Sequence, residues 1–183
     1  MFEAGLVSVT FRPLPHREVI DLAAAAGLGF IEWGSDVHAP RSDAARLADI
    51  VAYSREKGVS CCSYGTYFSL GHDPLGELSE YIAAARVLGT DVLRIWAGKQ
   101  NYPDMSEDDC ARMIEEARRA AEIAEREGVV LCLEWHRDTM TSTLDGALRL
   151  VESVASPALR LYWQPSQYRS FEDNLAEAAR VAP

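Results

Sequence analysis

The sequence is poor in basic residues, in cysteine and in long apolar runs. Eighteen Lys and Arg stand against 28 Asp and Glu, a formal net charge of −10. So acidic a chain lacks the basic surface that displaces counterions from a phosphate backbone, so nucleic acid is not an expected partner. A small anion held by a local Arg or Lys stays compatible with it. No apolar run approaches the roughly 20 residues of a membrane span, so no membrane partner is expected. The opening Met-Phe-Glu-Ala-Gly carries no basic stretch of the secretory kind, and a cytoplasmic location is expected. Cysteines 61, 62, 110 and 132 form no CxxC pattern and are expected as buried, reduced thiols. Linkers and low-complexity tracts are also missing, so residues 1–183 read as one domain.

What the chain does have is alternation. Short apolar runs near 5–11, 30–33, 59–63, 92–96, 129–134 and 159–163 read as strands. Helical patterns lie between them, closed by Gly27, Gly58, Gly89 and Gly128. Ser42, the pair Asp73-Pro74, Ser106 with Asp109, and Ser170 with Asp173 are candidate helix starts. Residues 64–72, with two Gly and three aromatics, read as a long loop. Six strand–helix units in strict order imply a parallel sheet with right-handed crossovers.

The stretch Val129 to Thr141 carries the chemistry. Five apolar residues give way to Glu134, with His136, Arg137 and Asp138 close behind. A Glu that closes a strand buried on both faces stands at the rim where α/β proteins bind ligands. Glu32 closes another strand, with Arg94 or Lys99 as a candidate partner. A buried carboxylate is costly unless it is paired, protonated or on a cation. Trp33, Trp96, Trp135 and Trp163 all end strands, and His38, His72 and His136 lie in the loops just after strands. Polar groups with aromatic walls on one face describe a pocket for a small polar, carbohydrate-like ligand.

These residues resemble the xylose isomerase-like TIM barrels, a family that includes sugar phosphate isomerases and epimerases. The resemblance rests on 29–34 (Gly-Phe-Ile-Glu-Trp-Gly) with His38, on 94–98 (Arg-Ile-Trp-Ala-Gly), on 133–136 (Leu-Glu-Trp-His) and on 162–165 (Tyr-Trp-Gln-Pro). It implies a parallel (β/α) barrel of which this chain supplies six of eight units. It also implies a divalent ion (Mn, Mg, Co or Zn), with Glu134 as metal ligand and catalytic base in proton transfer next to a carbonyl. His38, His72, His136, Arg94 and the four tryptophans would then bind substrate. At strand six, Gln164 and Gln167 replace the family's Asp and His. They would serve as uncharged hydrogen-bonding groups for substrate, and the remaining His and Glu ligands of the family would fall past Pro183. The alternative is a non-catalytic sugar- or polyol-binding, vestigial barrel module. Strands one and six would be open edges, for which a second copy of the chain is a candidate cover.

Overall fold

The computed structural model describes residues 3–166 and 169–181. Six parallel strands form one sheet in the order of the chain. They are β1 (Gly5–Val7), β2 (Phe30–Gly34), β3 (Ser60–Ser69), β4 (Val92–Trp96), β5 (Val130–Glu134) and β6 (Leu159–Tyr162). The helices that follow them are α1 (His16–Ala25), α2 (Ala44–Lys57), α3 (Leu78–Leu88), α4 (Glu107–Glu127), α5 (Leu144–Val154) and α6 (Phe171–Val181). This is a partial TIM barrel, with β1 and β6 as the outer strands of the sheet. No helix among the described residues is long and apolar enough to cross a membrane.

Strand alternation positions the site. Ile31 and Trp33, Leu93 and Ile95, and Leu131 and Leu133 point toward the helices, where they join Val19, Ile20, Leu47, Ile50, Ile82 and Ala117 in the main core. Their neighbours Glu32, Arg94 and Glu134 therefore point to the inner face of the sheet. The registers put Gly65, Arg94 and Cys132 side by side, and Glu134 beside Tyr162.

Helix ends follow local chemistry. The Ser106 hydroxyl accepts from the Asp109 N–H at 3.1 Å and the Asp109 carboxylate accepts from the Ser106 N–H at 3.3 Å, the reciprocal capping box the sequence predicts. Gly128 closes α4 at φ +66°, a conformation open to glycine at little cost. The Ser170 hydroxyl accepts from the Asp173 N–H at 3.0 Å and opens α6.

Several boundaries differ from the sequence reading. β1 stops at Val7, because the buried Ser8 hydroxyl takes the Gly34 N–H at 2.9 Å and residues Ser8–Phe11 wind into a 3-10 turn. β3 runs on to Ser69, through much of the stretch read as a loop. Its polar residues satisfy themselves there: Thr66 donates to the Arg94 carbonyl at 2.6 Å, and the Tyr64 hydroxyl donates to the Ala39 carbonyl at 2.7 Å. Asp43, not Ser42, caps α2 by accepting from the Arg46 N–H at 3.0 Å. Asp73 accepts from the Ser69 N–H at 2.7 Å instead of capping α3, which a 3-10 turn over Leu75–Glu77 precedes. All four cysteines are free; Cys110 is buried, but Cys62 is exposed, contrary to the expectation of buried thiols.

Candidate functional site

Glu134, the last residue of β5, has both carboxylate oxygens engaged. Oε2 accepts from the Arg94 guanidinium and from the Trp96 indole N–H at 2.6 Å. Oε1 accepts from the Gln164 amide at 3.0 Å. The same amide nitrogen donates to the Trp135 carbonyl at 2.7 Å. Both of its neighbours are acceptors, so only the nitrogen end of Gln164 can face them.

Arg94 also donates from Nε to Glu32 Oε1 at 2.9 Å, and the Ser63 hydroxyl donates to Glu32 Oε2 at 2.6 Å. Of the two partners the sequence offered for Glu32, the structure selects Arg94. The three charged residues are 3 %, 5 % and 9 % exposed for Glu32, Arg94 and Glu134. Burial opposes the guanidinium charge, yet the attraction of Glu32 and Glu134 outweighs it and holds Arg94 above its ordinary value. Gly65 makes the room: a Cβ there would lie 2.7 Å from Arg94 Nη2 and 3.0 Å from Glu32 Oε1. Burial, reinforced by Glu32 and Glu134 and opposed by Arg94, pushes the Tyr162 phenol up to about 12.

Above Glu134 stands an aromatic wall. The rings of Trp96 and His136 stack at 5.1 Å, and Tyr67 meets Trp96 edge-on at 5.2 Å. Arg12 donates to the Tyr67 hydroxyl at 2.6 Å and pairs with Asp36. His136 Nδ1 lies 2.5 Å from the Arg137 carbonyl. A carbonyl only accepts, so Nδ1 is the donor in this contact. Two buried threonines hold the loop after β5: Thr141 donates to the Glu134 carbonyl and Thr139 to the His136 carbonyl, each at 2.6 Å. A cavity of about 780 Å³ opens between the loops after β4, β5 and β6, with Asn101, His136, Arg137, Gln164 and Arg169 on its walls.

The structure thus brings Glu134, Arg94, Trp96, His136 and Gln164 together. Other expected site residues lie elsewhere, apart from Trp135, which also borders this cavity. Trp33 is 1 % exposed in the main core. Trp135 packs with Leu144 and Ala147, and Trp163 lies against the same cluster. The period of two explains this. Trp96 shares the parity of Arg94 and faces inward, whereas Trp33 and Trp135 each follow an inward Glu and Trp163 follows the inward Tyr162. His38 is buried: its Nε2 lies 3.1 Å from the Leu14 carbonyl and its ring meets Trp33 edge-on. Burial draws its pKa down, so the ring is neutral. His72 is exposed in a separate cavity of about 640 Å³ between the loops after β3 and β4 and the side of α4. Gln167 lies outside the described residues. The sequence reading passed over Tyr67, Arg12, Ser63, Gly65, Thr139 and Thr141; the aromatic-rich 64–72 run was the one available signal.

The donor chemistry does not fit a divalent ion. Among the described residues no group of three or more His, Cys, Asp and Glu is arranged to hold one. The oxygens of Glu134 are turned to N–H donors, and Gln164 offers its nitrogen side. Further donors would have to come from residues outside those described.

Comparison with known proteins places the site in context. The family model described as "Xylose isomerase-like TIM barrel" matches residues 20–183. No curated protein sequence matches. Among solved structures, the probable 3-DHS dehydratase AsbF of Bacillus anthracis is similar at TM-score 0.87 and 18% identity, covering 100% of this chain and 70% of its own. The D-psicose 3-epimerase of Clostridium cellulolyticum H10, solved with D-tagatose, gives TM-score 0.71 and 15% identity over 98% of this chain and 71% of its own. A xylose isomerase-like TIM barrel protein of Mycobacterium smegmatis, in complex with magnesium, gives 0.75 and 16% over 99% and 73%. At these identities the likeness is one of fold.

Proposed function

The chain belongs to the xylose isomerase-like TIM barrel family, and from that premise we propose that its rim serves an isomerase- or epimerase-type enzyme. The substrate would be a small hydroxyl-rich carbonyl compound, a sugar or a close relative, and the reaction a proton transfer at the carbon next to the carbonyl. One observation carries this reading: a strand-end carboxylate, Glu134, stands beneath a stack of Trp96 and His136 and beside a ligand-sized cavity.

On this reading the aromatic wall takes the C–H face of the substrate, and Gln164 and Asn101 serve its hydroxyls. A base removes the proton next to the carbonyl, the C–H electron pair moves into an enediolate, and the proton returns to the same or the neighbouring carbon. Glu134 is the candidate base, and His136 the candidate second proton carrier. Arg94 supplies positive charge near the developing negative charge, while the single Trp96 indole N–H, donated to Glu134, orients that carboxylate. Support comes from the neighbours: one is a sugar epimerase and one a probable dehydratase. Loss of water next to a carbonyl begins with the same proton removal. The test is incubation with D-tagatose, D-fructose and a panel of other ketoses and hydroxy-acids in deuterated water. NMR should show exchange of the C–H next to the carbonyl for at least one compound; a silent panel would count against catalysis.

One observation favours the second reading, a non-catalytic polyol-binding module. Three N–H donors already engage Glu134 and occupy lone pairs that a base would turn to a substrate C–H. Saturable binding of a polyol with no exchange would decide for this alternative.

A further inference from the structure

We propose that the Arg94 guanidinium takes the place at Glu134 that a divalent cation would fill, so that the rim carries its own fixed cation and binds a neutral polyhydroxy ligand without a metal. The proposal rests on Glu134 as the centre of the functional rim, but it concerns the charge that neutralises that group, not the reaction.

Three observations converge. First, three of the about four lone-pair positions of Glu134 are committed: two on Oε2 to Arg94 and Trp96, one on Oε1 to Gln164. A metal ligand must turn a lone pair to the ion, and each of these contacts turns one to an N–H. Second, Gln164 stands with its nitrogen against two acceptors, Glu134 and the Trp135 carbonyl, so its oxygen cannot face an ion held by Glu134 on that side. Third, the guanidinium is built in. Glu32 holds its Nε end, Ser63 holds Glu32, and the missing side chain of Gly65 leaves the space that Nη2 fills. The cluster thus sets one guanidinium between two carboxylates, a lining that suits donated hydroxyls better than an anion at Glu134 itself.

The probe is Mn²⁺ alone, titrated by calorimetry and electron paramagnetic resonance into the full protein without substrate. The wild type and Glu134→Gln should give the same titration. Arg94→Gln, which leaves Glu32 and Glu134 facing each other without a cation, should gain a Mn²⁺ site at least about tenfold tighter than any in the wild type. The Arg94→Gln/Glu134→Gln double variant should lose it again. A wild-type site weakened about tenfold or more by Glu134→Gln would overturn the proposal. So would a folded Arg94→Gln protein with no gain in affinity. If Arg94→Gln does not fold, the comparison of wild type with Glu134→Gln still decides. Because no substrate is present, failure of the exchange chemistry leaves this result untouched, and the reverse also holds.

Discussion

Arg94 and Arg17 make similar contacts in opposite surroundings. Arg17 lies on the outer surface of α1, where its Nε donates to Asp49 at 2.9 Å, and His16 reaches the same carboxylate at 2.6 Å. The Arg17 side chain is 55% exposed. Arg94 also meets carboxylates, but inside the sheet, with its side chain 6% exposed. On the surface, water competes for both partners and salt screens them, so such a pair adds little to stability. Inside, each member is costly without the others. A buried charged cluster with an aromatic roof is thus weak evidence for stability and better evidence for a site.

The comparison breaks most sharply at Arg94. Arg94→Met strands two buried carboxylates and should cost about 3–5 kcal/mol in urea unfolding, whereas Arg17→Met should leave the curve nearly unchanged. Equal effects at the two positions would remove the distinction. Gly65→Ala should cost less, about 1–3 kcal/mol, because its Cβ pushes on the Nη2 end of Arg94 without removing the charge. A Gly65→Ala protein of native stability would mean that the cluster has slack.

Smallest is a pH effect at His38. Its folded pKa lies below its unfolded one because burial opposes the charge. The unfolded chain therefore takes up the proton first as pH falls. The contribution of His38 is complete above its unfolded pKa of about 6.5 and declines below it. Urea midpoints measured between pH 7.5 and 5.5 should fall less steeply in His38→Gln than in the wild type. An unchanged slope would place His38 in contact with water.

Much of this was legible in the residues. The alternation of apolar runs with capped helices gave six parallel strands, and the abrupt change at Glu134 marked the end of β5. Glu32 was already matched to Arg94 or Lys99. Facing was harder to read. Each of Trp33, Trp135 and Trp163 ends or follows a strand as expected, but one residue of parity turns it to the helices. The run 64–69 escaped because its strand satisfies polar groups through Thr66 and Tyr64, which resemble loop chemistry in sequence. The roles of Ser63, Gly65, Thr139 and Thr141 depend on contacts between strands and loops distant in the chain or on loop closure, which no local pattern carries.

The central claim is that the functional face is the inner rim at Glu134 and Trp96, and the four indole N–H signals test it most directly. In ¹⁵N-edited NMR with a ketose that exchanges or binds, the Trp96 indole signal should shift and broaden. The Trp33 signal, from the core, should stay in place. A Trp96 signal unmoved while the ligand saturates the protein would contradict the account and move the site elsewhere on the molecule.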